Sequence, residues 1–389
     1  MQTETTTPPR IVAPPASNGG PVRGTTTVRA EPPPAATEPA PAVEPRRELR
    51  PRTLDDVLAL VGSVLGGLSL AWLLFRRLLP TDGAVGFVLL WLGCFLLLYA
   101  AVTMIRHPAP VIADRIAAAV VHAGAALVGA ALLTVIGYTV WRGLDALVQP
   151  NFYTEDLSAA GPLTPLDTGG ALHAIVGTLI EIGIAIAVTL PLGVATAVFI
   201  TEVGGRFSRL VRTIVEAMTA LPSIVAGLFI YTVLQVTLGF PRSGLAAALA
   251  LSVMMLPIIA RAADVVLRVV PGGLREASLA LGASQWQTVW HVVLPTARPG
   301  LATALILGTA RGVGETSPVL LTSGASNFLN ADPLNNSMNS LPLFVYSLVR
   351  SGEPTYIARA FGGAALLLVL VLVLFVVARL VAARRDGAR

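Results

Sequence analysis

The 389-residue sequence contains no lysine; all 27 of its basic residues are arginine. That absence excludes a Walker A loop, whose lysine must reach the phosphates of a bound nucleotide. Any ATP-driven step therefore belongs to another polypeptide. Cysteine is nearly absent as well. Cys94 stands alone inside an apolar run, and the four histidines (His107, His122, His173, His291) are scattered. Such a set offers no disulfide framework, no metal site and no expected cofactor. Charge as a whole is scarce: Asp, Glu, Lys and Arg make up 13% of the chain, against about 25% in soluble proteins.

What fills the chain instead is apolar. Hydrophobic residues account for 54%, bunched in runs of about 20 or more, long enough to cross roughly 30 Å of hydrocarbon as helices. The expected fold class is an all-α membrane protein, a polytopic helical bundle in a lipid bilayer. The net charge of +5 does not point to nucleic acid. The arginines sit in the N-terminal tail, in short loops or just beyond apolar runs, where excess cytoplasmic positive charge sets topology.

Residues 1–52 hold 12 of the 29 prolines and too little apolar surface to offset chain entropy, so a disordered, Pro-rich cytoplasmic tail is expected there. It lacks the apolar core of a signal peptide. Eight spans are predicted, at about 57–75, 84–105, 116–141, 171–200, 213–238, 243–268, 298–322 and 357–381. The first two form an extra transmembrane hairpin within 53–110, and the other six a separate domain over 111–389. The loop carrying Asp145, Glu155, Asp156 and Asp167 belongs outside. The segments with Arg206, Arg209, Arg212, Arg268, Arg275 and Arg298, and the tail with Arg384 and Arg385, belong inside, so both termini are expected in the cytoplasm. Arg76 and Arg77 run against this count, and a flipped or re-entrant first hairpin would remove the conflict. Gly62 and Gly66 have the spacing that lets neighbouring helices approach, or are glycines that merely fall in an apolar helix. Pro191, Pro222, Pro257 and Pro318 interrupt later spans. Broken helices are tolerated in a bilayer where they are buried in protein or line a wet cavity; plain structural kinks are the alternative.

The loop 271–296 is the most informative stretch. Pro271, Gly272 and Gly273 stop one helix, and Leu274 to Leu281 form a short one with Leu274, Ala277 and Leu281 on a single face. Gly282 is placed to end it in a left-handed cap. Ser284 and Gln287 have capping-box spacing for a second short helix. The result is an exposed apolar knob between two spans, or a helix lying on the membrane surface.

Glu276-Ala277-Ser278, then Gly282, then after nine residues Val292-Val293-Leu294-Pro295 resembles the EAA loop of type I ABC importer permeases, departing only in Ser278 for Ala and Val292 for Ile. The resemblance implies that this loop is a coupling helix, carried by Glu276, Ala277, Leu281 and Gly282, that docks on an ATPase subunit. Two further segments, Ala220-Leu-Pro-Ser-Ile-Val-Ala-Gly-Leu-Phe229 and Ala310-Arg-Gly-Val-Gly-Glu-Thr-Ser-Pro318, resemble the PstA type of phosphate-specific permease, the likeness running over roughly residues 116 to 385. It implies a six-span permease core and a non-catalytic subunit in the bacterial plasma membrane. It also implies a homologous second permease, two copies of an ABC ATPase subunit and an extracytoplasmic phosphate-binding protein as partners, with phosphate as cargo. A related importer for sulfate or molybdate, an ion-coupled secondary transporter and a regulatory membrane subunit are the competing readings.

Two charges stand out within the spans. Arg311 is expected near the middle of the seventh, with Glu315 one turn on. An arginine there costs about 2.5–3.5 kcal/mol on insertion scales, so it should face a cavity, a counter-charge or an anion, whose oxygens its planar fork matches. Alternatively, Arg311 and Glu315 neutralise each other within the helix. The resemblance implies that Arg261 also faces the translocation path, though position alone fits a membrane-boundary anchor. Thr316, Ser317 and Thr322 are candidate hydrogen-bond donors, or bond their own backbone. Glu181, inside the fourth span, has no role in the family pattern; it is either protonated or paired with an arginine of a neighbouring subunit.

Overall fold

The computed structural model describes residues 54–77, 83–105 and 108–383. The expected tail at 1–52, His107, Arg384 and Arg385 lie outside them. Among the described residues there is no β-strand, and seven helices are long and apolar enough to cross a membrane, or eight if one bent pair counts as a span. The chain divides into two compact units, with the boundary between Ile112 and Ala113.

In the first unit α1 (Leu54–Arg77) packs along α2 (Ala84–Met104). The tightest approach is at Gly67, where a Cβ would lie 2.8 Å from the Phe95 backbone. Gly66 meets Leu98 more loosely, and Gly62 faces open space. The Trp91 indole donates to Val64 O across the pair at 3.2 Å.

The second unit holds most of α3 (Ala109–Leu147), then α4 (Asn151–Thr154), α5 (Leu172–Val198), α6 (Gly205–Thr219), α7 (Ser223–Ile230), α8 (Gly244–Val269) and α9 (Gly272–Ala280). It continues through α10 (Gln285–Thr288), α11 (Leu294–Val313), α12 (Ser317–Thr322), α13 (Leu341–Val349) and α14 (Pro354–Ala383). At its centre is α8, with Leu251, Met255, Ile259, Ala263 and Leu267 all buried. Small residues let its neighbours close in: a Cβ at Gly308 of α11 would sit 2.4 Å from the Ile259 side chain, and one at Gly193 of α5 2.8 Å from it. In a bilayer, where apolar burial between helices gains nothing over lipid, such close backbone contact is a main source of association.

Three sequence expectations are corrected. The fifth span is not one helix over 213–238: Gly205–Thr219 and Ser223–Thr237 meet at 106° around Pro222, which enters α7 in extended backbone (ψ 139°). The seventh span is not 298–322, because the helix runs from Gln285 to Val313 and breaks before α12. The second short helix expected in the loop at 271–296 is therefore the first turn of that span, carried through a π-helical turn at Val289–Val293. The cause is shared. Hydropathy measures composition, and a bent pair or a helix that starts early has the same composition as a straight span.

Candidate coupling surface and helix-break site

The short helix α9 projects beyond α8 and buries none of its residues. Leu274, Leu279 and Leu281 are exposed, Leu281 at 90%. Its C-terminus closes as the glycine position predicts. Gly282 has φ 88°, Ala283 N donates to Ser278 O at 3.2 Å and Gly282 N to Leu279 O at 2.9 Å, the two bonds of a Schellman cap. The Ser284–Gln287 capping box then starts α10.

An exposed helix of nine residues would not hold its place by propensity alone, and two contacts fix it. Ser278 Oγ lies 2.9 Å from Thr288 Oγ1. Arg275 reaches back under α8, donating to Leu267 O at 2.8 Å and Val270 O at 2.9 Å. These carbonyls lie at the end of α8, where Leu267 O also accepts from Val270 N at 3.4 Å, and the guanidinium caps them. The same guanidinium lies 3.1 Å from Glu202, in the π-helical turn Phe199–Val203 that continues α5 to the end of its span. One side chain thereby ties α9 to the ends of two spans. On the same side, Asp264 of α8 pairs with Arg268 at 3.0 Å and Arg212 of α6 at 3.7 Å. The sequence reading used Arg275 only as a topology charge; its placement one residue before Glu276 was the available signal.

The second site is the break between α11 and α12. Here the two family-like segments meet: a Cβ at Gly227 of α7 would lie 2.6 Å from Pro318 Cα, and the Gln235 side-chain amide donates to Thr322 O. The helices that follow the two interruptions, α7 and α12, thus pack against each other.

Arg311 lies in the last turn of α11, not near mid-span. Its guanidinium is 2.9 Å from Glu315, with the arginine side chain 57% exposed and the glutamate 10%. The neutral pair foreseen from spacing does form, but across the end of α11, with Glu315 in the break before α12, and most of the guanidinium faces outward. Gly314 and Ser317 are exposed beside it, and Thr316 is half-buried. Thr322 is not available to a ligand, since its buried hydroxyl donates to Pro318 O at 2.7 Å. Arg261 is exposed on α8, two residues from the Ile259 that packs on α11 and so roughly 200° around the helix. Within one chain the structure does not bring Arg261 and Arg311 together.

A further arginine escaped the sequence reading. Arg359 of α14 is fully buried, and its Nη2 donates to Pro165 O and Thr168 O, each at 2.7 Å. Tyr356 donates to Ala160 O at 3.1 Å. Together they fasten the loop between α4 and α5 onto α14. Asp156 links that loop to the stretch after α12, accepting from Leu329 N at 2.9 Å and from the Ser158 hydroxyl at 2.6 Å. The Ser158 hydrogen bond, with those from backbone amides, holds the Asp156 carboxyl below the usual range.

Residues 189–387 match the family described as binding-protein-dependent transport system inner membrane component. That match covers half of the chain, and the chain belongs to this family of ABC importer permeases. Within it, the chain is of the PstA type. It is 40% identical to phosphate transport system permease protein PstA 1 of Mycobacterium tuberculosis over 65% of this chain and 84% of that one. It is 38% identical to PstA of Mycobacterium leprae over 62% and 79%. It is 34% identical to PstA of Haemophilus influenzae over 62% and 83%.

Proposed function

We propose that this chain is the membrane-spanning permease subunit that carries inorganic phosphate into the cytoplasm in an ATP-driven importer. The observation that carries the cargo is the agreement of relatives, each named as a phosphate transport permease, with a half-exposed guanidinium at a helix break. Arg311 presents permanent charge and a planar donor fork, which suit a tetrahedral oxyanion. Phosphate would take Arg311 from Glu315 in passing, so binding is weak and release easy. Arg261 lines the same path in this reading, at a different level and from another helix.

The chain works with a homologous second permease, two copies of an ABC ATPase subunit and an extracytoplasmic phosphate-binding protein. With no lysine, it leaves ATP hydrolysis to the ATPase. The exposed Leu274, Ala277 and Leu281 of the loop around α9, with Glu276, form the knob that enters the ATPase surface. Closure of the ATPase dimer moves α9, and Arg275 passes that movement to α8 and α5 together. Because α11 is packed on α8 through Gly308 and Gly312, the break at Arg311 feels it. The loop 271–296 and both termini are cytoplasmic in this arrangement, and the segment 53–110 and the Pro-rich tail 1–52 are additions to the transport core. Along α3, the membrane-length stretch buries nothing in its own chain, leaving a face of the kind a second permease covers.

The test is uptake of radiolabelled phosphate by cells lacking this gene, with and without the intact gene. Restored phosphate uptake supports the assignment. Phosphate uptake that is unchanged, with sulfate uptake impaired, would move the cargo to another oxyanion.

A further inference from the structure

Glu181 of α5 is buried, 1% exposed, and its Oε1 has no hydrogen-bond partner. It lines a small space of about 10 Å³ together with Thr178, Ser340 and Glu315. Ser340 Oγ, 3% exposed, is unpartnered as well. Two buried, unsatisfied oxygens thus share one cavity with a second carboxyl group, in room for about a single water.

The residues that line the space beside Glu181 include no cation, and the nearest one, Arg311, is engaged by Glu315. An ionised carboxylate buried without a cation of its own is heavily penalised and is relieved by taking up a proton. As a carboxylic acid, Glu181 has an O–H to donate within the space it shares with Ser340 and Glu315.

We propose that this pocket is a binding site for one proton, held by the Glu181–Glu315 pair, and that the proton lets Arg311 leave Glu315 for a phosphate. The proposal rests on the reading of Arg311 given above. Among the described residues lining the pocket, Glu315 is the other titratable group, and Arg311 reaches the pocket through it. The lining residues from α8, α12 and α13 (Leu251, Val319 and Pro342) carry no charge. On α5 itself, His173 lies eight residues earlier and meets the Phe344 ring edge to face. The local account is therefore two carboxyls against one guanidinium. When Arg311 turns to an anion, Glu315 is left nearly buried with no counter-charge, which a low-dielectric site penalises heavily. The hydrogen on Glu181 then turns toward Glu315 within the space they share. It stays within the pair, so no proton is consumed in the cycle. Above the pH at which the pair loses it, both carboxylates hold Arg311 and phosphate capture fails.

Two measurements test this on the assembled complex in membranes. Infrared spectroscopy should show the C=O stretch of a protonated carboxylic acid that disappears in Glu181→Gln; an identical spectrum in the variant overturns the proton site, whatever the cargo. Glutamine keeps the donor and cannot ionise, so the variant should retain uptake at neutral pH. Wild-type uptake relative to the variant should fall by up to about tenfold per pH unit once the pair deprotonates, since the protonated fraction falls by that factor. A constant ratio across pH, or loss of uptake in the assembled variant at every pH, overturns the role in releasing Arg311.

Discussion

Arg275→Ala isolates the proposed mechanical link. The side chain makes two hydrogen bonds to carbonyls at the end of α8 and one ionic contact to Glu202. Hydrogen bonds from charged groups contribute about 1.5–3 kcal/mol each. Arg275 is 24% exposed, and Glu202 Oε1 closes no hydrogen bond, so water offsets part of the loss and the ion pair adds little. We expect a local cost of about 2–4 kcal/mol, concentrated at the junction of α8 and α9. Insertion and assembly should survive, because the α5–α8–α11 packing is untouched. In reconstituted complexes the ratio of phosphate transported to ATP hydrolysed should fall at least several-fold, while basal ATP hydrolysis persists. Glu202→Gln should do less, and the double variant should cost less than the sum of the two, as expected of groups in contact. Wild-type coupling in Arg275→Ala would refute the idea that one side chain transmits the motion of α9.

Gly282→Pro should break the Schellman cap and uncouple ATP hydrolysis from uptake while leaving the protein in the membrane; normal phosphate uptake would reject the docking role of the loop. Arg311→Gln should block transport, with Arg261→Gln only weakening it, both read as initial uptake rates; a wild-type rate in Arg311→Gln would leave the Arg311–Glu315 pair a self-neutralising structural feature. Gly227→Val should force α7 off Pro318 at a cost of about 1–3 kcal/mol, seen as a lower unfolding temperature. Asp156 has its folded pKa below the unfolded value of about 3.9, so its stabilising effect is complete above that value and is lost as pH falls through the folded one. Hydrogen exchange in the loop 155–170 should therefore quicken only on acidification, and Asp156→Asn should show the fast rate already at neutral pH.

Much of the loop at 271–296 was legible because its signals are local. A glycine that must take φ 88° and a Ser–Gln pair three residues apart act within one turn, and both are where the sequence places them. The segments around Pro222 and Pro318 were also recognisable, but their contact was not, since the Gly227–Pro318 approach joins residues 91 positions apart. Direction is what hydropathy omits. It could not show the 106° turn at Pro222, nor that Arg311 ends a helix instead of crossing the middle of one. The short α13 went unforeseen because nine residues fall below the length of a span. Arg359 was missed although an arginine entering an apolar run is itself a signal. Its partners are backbone carbonyls of a distant loop, and no sequence pattern announces an acceptor of that kind.

The most direct test of the account is transport in proteoliposomes holding this permease, its partner permease, the ATPase and the phosphate-binding protein, with ATP on the ATPase side. Labelled phosphate should accumulate only with ATP and binding protein present, sulfate should not, and Arg311→Gln should abolish the signal. Accumulation of phosphate without ATP, or ATP-dependent accumulation of sulfate in its place, would contradict it.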